Sequence, residues 1–218
     1  MATVTVTYVP LDQLKALLGL EDAADTLTAA DEERLKGALR AATAQVEQIA
    51  GRRFAPRIAT IYHAFDPHTP TQLLLDDDLL QLLSITNGDG QEIAYENLEI
   101  IGNGIIRLRN GVTFNTGDDD LSKPIAVEAI WGWHDHPSEA WRLSGDEVAE
   151  VLDPPGIETL SVNDADGIDP FGNTPRFCAG QLLRISLEFI SIIGCNSEAN
   201  SLSVVRGVLG SLTTDHSV

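Results

Sequence analysis

The chain has 218 residues, of which 43% are hydrophobic, and a formal net charge of −19. That is enough for one ordinary domain with an appendage and too apolar for a disordered chain. A duplex-DNA binder needs clustered Lys/Arg to displace counterions, and no basic cluster here is larger than Arg52-Arg53.

Residues 1–150 carry 11 Lys/Arg against 25 Asp/Glu, and residues 151–218 carry 3 against 8, so neither part is a nucleic-acid module. The acidity has two readings: simple solubility, or a passage that DNA slides through without sticking. Apolar runs fall well short of the about 18 residues of a membrane span. The start Met1-Ala-Thr-Val-Thr-Val has no basic or apolar leader region, so no signal peptide is expected. Cys178 and Cys195 fit no metal spacing and define no disulfide framework. A reducing compartment is the natural expectation, with a single bridge as the open alternative.

The first helix is expected after Tyr8-Val-Pro-Leu. Pro10 suits a first turn, and Leu11, Leu14, Leu17 and Leu18 share a face. Asp22 to Asp25 breaks it. Thr28 with Asp31 three residues on predicts the N-cap of a second helix. Leu35, Leu39, Ala42, Val46 and Ile49 then give a narrow seam fit for one partner helix, and Gly51 ends it. Arg52 and Arg53 can cap that helix or pair with another subunit.

From Arg57 the pattern turns strand-like. The expected strands are Arg57 to Phe65, Leu73-Leu-Leu and Leu79-Leu around Asp76-Asp77-Asp78, Leu82 to Thr86, Ile93 to Tyr95, Leu98 to Ile101, Ile105 to Leu108, and Pro124 to Trp131. Asn87-Gly-Asp-Gly is a strong turn signal. The fold class expected is α+β: an N-terminal helical hairpin with a small antiparallel meander over residues 1–148, then a small all-β module over 149–218. Pro154-Pro155-Gly156 marks the linker. Strands are expected at Glu158 to Val162, Gln181 to Ile193 and Ser201 to Val205.

Candidate chemistry is thin. His134-Asp135-His136 invites a metal-dependent hydrolase reading, against a plain polar turn; His63, Asp66 and His68 form a looser group. Val162 to Asp169 resembles a calcium loop, but Val162 and Asn173 would fill the first and last EF-hand positions, which excludes that motif. A looser calcium loop through Asp164, Asp166 and Asp169 competes with an Asp/Gly turn. Asp118-Asp119-Asp120 reads likewise as a solvated turn or a charge ring. No nucleophile elbow or phosphate loop is present, and Cys178 is expected to be packed. Neither a catalytic residue, a metal nor a cofactor is assigned. Trp131 is expected in the core. Trp133 and Trp141 are interface candidates, with Leu35, Leu39, Val46, Arg52 and Arg53.

Residues 8–142 resemble the head–tail connector (adaptor) proteins of long-tailed bacteriophages. The resemblance rests on Tyr8-x-x-Leu11, Ile49-Ala-Gly-Arg-Arg-Phe54, the Leu73-Leu-Leu-Asp run, Asn87-Gly-Asp-Gly and Ala129-Ile-Trp-Gly-Trp133. The C-terminal part is similar to a β insertion in some members, through Thr174-Pro-Arg-Phe177, Gly180-Gln-Leu-Leu-Arg-Ile185, Glu188, Val204-Val-Arg-Gly207, Gly210 and His216. In such members further helices follow, so this chain is expected to lack the final helix or helices.

The resemblance implies a virion structural protein of the neck, assembled in the host cytoplasm. It implies a homo-oligomeric ring of about twelve copies beneath the portal protein, joined to the next stopper or tail-completion protein. DNA would pass through without specific binding, and no enzyme activity or membrane is involved. The alternative is a phage decoration or receptor-contacting protein acting through residues 157–218.

Overall fold

A computed structural model describes residues 7–20, 27–117, 124–152 and 158–216. Asp22 to Asp25, Asp118-Asp119-Asp120, Pro154-Pro155-Gly156 and the start Met1 to Val6 lie outside the described residues. The chain is α+β, and it divides into two compact units: Met1–Ile49 with Trp141–Val218, and Ala50–Ala140. The helices are thus grouped with the C-terminal strands, where chain order had grouped them with residues 50–140.

In the first unit, α1 spans Leu11–Leu17 and α2 spans Ala29–Ala50. The capping box forms as its spacing predicts. Thr28 Oγ1 accepts the Asp31 N–H at 3.2 Å, and Asp31 Oδ2 accepts the Thr28 N–H at 3.2 Å. Gly51, at φ +62°, ends α2 in the left-handed conformation that glycine adopts without a Cβ penalty. Tyr8 Oη donates to Glu47 Oε1 near one end of α2, and Lys15 Nζ meets Glu32 Oε1 towards the other.

The same unit holds a four-stranded antiparallel sheet of β7 (Thr159–Ser161), β8 (Leu182–Ile185), β9 (Glu188–Asn196) and β10 (Ser201–Val205), ordered β7-β10-β9-β8. Leu152, Leu160, Phe177, Ile190, Ile192, Leu202 and Val204 form its core. The single apolar run expected at Gln181 to Ile193 is in fact a hairpin. Its turn is Ser186-Leu187, with Ser186 at φ +56°.

The second unit contains β1 (Arg57–His63), β2 (Gln72–Leu74), β3 (Leu79–Thr86), β4 (Leu98–Ile101), β5 (Ile105–Leu108) and β6 (Ile125–Trp131). They form two three-stranded antiparallel sheets, β1-β6-β3 and β2-β5-β4. The order is not that of a meander, because β6 inserts between β1 and β3. Ile125, Val127, Ala129 and Trp131 are fully buried there, so the most apolar strand takes the centre. The run expected as a strand at Ile93 to Tyr95 gives one buried residue, Ile93, and then a 3₁₀ turn at Tyr95–Asn97. Both sheets share one core with Leu73, Ile85, Ile106 and Phe114.

Asn87 ties the Asn87-Gly-Asp-Gly turn to the segment before β6. Its Nδ2 donates to Thr113 O, and its Oδ1 accepts the N–H groups of Gly88 and Asn115. Gly88 is obligatory there, since a Cβ would lie 2.1 Å from Asn115 O.

Candidate functional site

The helical seam divides along its length. Leu39 is buried and Leu35 half-buried, whereas Val46 is 47% and Ile49 87% exposed. On α1, Leu17 and Leu18 are also exposed. Leu39 is the single buried residue of a 22-residue helix. A helix in water draws most of its stability from packing an apolar face, and α2 packs little of its seam within the chain.

In the unit 50–140, the closing Gly-Arg-Arg-Phe is built onto the Trp-Gly-Trp strand end. The Trp133 N–H donates to Arg53 O at 2.8 Å, and Phe54 packs edge-on to Trp133 with ring centroids 5.4 Å apart. The Arg52 guanidinium lies 5.0 Å from the Trp133 ring centroid and 3.8 Å from Asp78. Such a stack is worth roughly 0.5–1 kcal/mol at an exposed site. Arg53 itself is exposed and Trp133 half-buried. Trp131 is in the core, 1% exposed, its indole N–H donating to Ala59 O at 2.8 Å.

The acidic turn Asp76-Asp77-Asp78 is partly neutralised by Arg57, 2.5 Å from Asp77. Asp76 lies 3.6 Å from the buried His63. Asp66 and His68 do not join His63 in a cluster. The Asp66 carboxylate instead accepts the His68 N–H and the Thr69 hydroxyl. His134 Nδ1 accepts the His136 N–H at 3.0 Å, which makes His134-Asp135-His136 a locally hydrogen-bonded turn. Among the described residues no group of three or more His, Cys, Asp or Glu could hold a metal ion.

In the β module, Trp141 stacks on Phe189 at 5.3 Å, and the Arg184 guanidinium lies 5.3 Å from the Trp141 ring. Two aspartates of the calcium-like loop, Asp164 and Asp169, have other partners. Arg176, 11% exposed, lies 3.4 Å from Asp146 and 3.7 Å from Asp164, and donates to Ile168 O at 3.0 Å. Asp169 accepts from Phe171 N, Asn173 N and Asn173 Nδ2. The Asn173 amide, then burial opposing it, then the two backbone bonds leave its carboxyl below the usual range. A guanidinium therefore lies beside Asp164, one of the three aspartates considered for a cation. The loop so pinned exposes Ile168 at 63% and Phe171 at 58%.

Sequence reasoning missed a buried ionic centre. Glu188, fully buried, accepts Arg206 Nε at 2.8 Å and Arg206 Nη2 at 2.7 Å. It also accepts the N–H groups of Gly207 and Thr214, and lies 2.9 Å from His216 Nε2. Burial alone would raise its carboxyl. The hydrogen bonds from Arg206, Thr214 and His216 outweigh that and hold it below the ordinary glutamate value. The only sequence signal was that Glu188, Arg206, Gly207 and His216 all stood among the residues carrying the resemblance.

Compared with known proteins, the chain matches no family model, no curated protein and no solved structure.

Proposed function

We propose that this is a virion structural protein without enzymatic activity, a head–tail connector adaptor of the neck that works as a ring. Copies pack side by side beneath the portal protein, bind the next neck protein below, and leave a channel for DNA. The subunit architecture is a helical hairpin with small sheets, extended by the β module.

One observation carries the reading: α2 is about 33 Å long at 1.5 Å per residue, yet it buries only Leu39. Val46 and Ile49 on α2, and Leu17 and Leu18 on α1, are apolar surface that a neighbouring copy would cover. The charge of −19 suits a wall that must not hold a polyanion, and the order of motifs over residues 8–142 agrees.

The test is the mass of the assembled species, alone and on portal, with electron microscopy of particles carrying the protein. A closed ring of about twelve copies at the neck supports the adaptor. A chain that stays monomeric in both settings refutes it. The pinned loop exposing Ile168 and Phe171 favours a second reading, a decoration or receptor-contacting protein. A stable monomer that binds a glycan or cell surface would support it.

A further inference from the structure

We infer that Cys178 and Cys195 are a redox-active pair that closes into an intramolecular disulfide when a thiol oxidant reaches them. They are the chain's two cysteines, both reduced. The β8–β9 hairpin pairs Ile185 with Glu188 through to Leu182 with Ser191. The pairing continues upstream of β8. Ile192 N–H donates to Gln181 O at 3.0 Å, and Gly180 N–H donates to Ile192 O at 2.8 Å.

The chain then turns over Cys178 to Gln181, with the Gln181 N–H donating to Cys178 O at 3.2 Å, and Cys178 comes to lie towards the end of β9 that carries Cys195. The Cys195 thiol accordingly donates to Phe177 O at 3.3 Å, the carbonyl bonded to the nitrogen of Cys178. A disulfide needs Cα atoms roughly 4.4–6.8 Å apart, and the contact of the Cys195 thiol with the peptide bond leading into Cys178 brings the two residues together. Cys195 is exposed and Cys178 half-buried, so an oxidant has access.

The place is structurally consequential. A Cβ on Gly180 would lie 3.1 Å from Pro10 Cβ, so the approach to α1 packs on this same stretch. Closing the pair fastens the lead-in of β8 to the end of β9 where that segment rests. Burial raises the Cys178 thiol, with Asp12 adding to it; burial also raises Cys195, followed by Cys178 and Asp12. Little thiolate is present at neutral pH, so closure is slow there and accelerates as pH rises.

With glutathione disulfide as oxidant, one cysteine thiolate attacks a sulfur and expels a glutathione thiolate. The second cysteine thiolate then displaces the remaining glutathione. Two protein thiols lose their protons, one S–S bond forms, and the oxidant takes up two electrons to become two molecules of glutathione.

The full chain is treated with glutathione disulfide at about pH 8, denatured, alkylated and weighed. The expected product is one chain lighter by two hydrogens, with neither cysteine alkylated. Trypsin, cutting at Arg184, should release the 177–184 and 185–206 peptides joined through Cys178 and Cys195. Cys178→Ser and Cys195→Ser chains should each retain a glutathione adduct instead. Two alkylated cysteines, two glutathione adducts on one wild-type chain, or a disulfide between chains as main product each overturn the inference.

Discussion

Glu188 sits without solvent at the meeting of Arg206, Gly207, Thr214 and His216. A buried charge pair is strongly destabilising to break from one side, by about 3–5 kcal/mol, because the remaining charge is left uncompensated. Arg206→Ala should cost that much in denaturant unfolding of the full chain. The pH dependence has a definite sign. The folded carboxyl lies below its unfolded value, so its contribution is complete at neutral pH and lost as pH falls through the folded value. Melting curves recorded from neutral to acid pH should show that loss below the ordinary glutamate range, and Glu188→Gln should flatten it.

Gly88 offers a second residue-scale test. A Cβ there meets Asn115 backbone, so Gly88→Ala should destabilise at or beyond the upper end of the roughly 1–3 kcal/mol typical of overpacking. A matching Gly90→Ala change would have open space but a φ of +78°. It should therefore cost less, measured by the same unfolding curve.

At the scale of the element, α2 was legible in the sequence because its signals are local: the Thr28–Asp31 box, the seam spacing and Gly51 all act within a turn or two. The strands of residues 57–131 were legible for the same reason. Their partners were not, since β6 pairs with β1 and β3 across long stretches of chain. The Ser186-Leu187 turn was hidden inside Leu-Leu-Arg-Ile-Ser-Leu-Glu-Phe-Ile, which has no glycine, proline or asparagine to mark a reversal. Arg176 was equally hidden, because a lone arginine carries no spacing signal until the fold brings Asp146 and Asp164 to it.

The two ends of the α2 seam should respond differently to substitution. Leu39→Ala removes a buried side chain and should cost about 2–5 kcal/mol in the unfolding of the isolated chain. Ile49→Ser and Val46→Ser change exposed positions, where effects on chain stability stay within about 0.5 kcal/mol. Under the ring reading those two variants should lower the assembled mass seen by light scattering while leaving the melting temperature of the isolated chain unchanged.

For the whole molecule, charge gives the broadest expectation. At −19, and acidic both before and after residue 150, the protein should fail to shift duplex DNA in a gel at physiological salt. Lowering the salt should not rescue binding, because no basic cluster larger than Arg52-Arg53 is there to displace the counterions condensed on DNA. Tight, salt-sensitive binding would contradict the proposed non-adhesive passage.

One unit is continuous along the chain, Ala50–Ala140, and the other is split around it, Met1–Ile49 with Trp141–Val218. A ribosome delivers the amino end first, and domains consolidate as their parts become accessible. The central segment has every strand it needs once residue 140 has emerged. The leading helices must wait for β7 to β10 before their own half is whole. Val46 and Ile49 stay exposed on α2 throughout, so premature encounters between nascent chains would begin there.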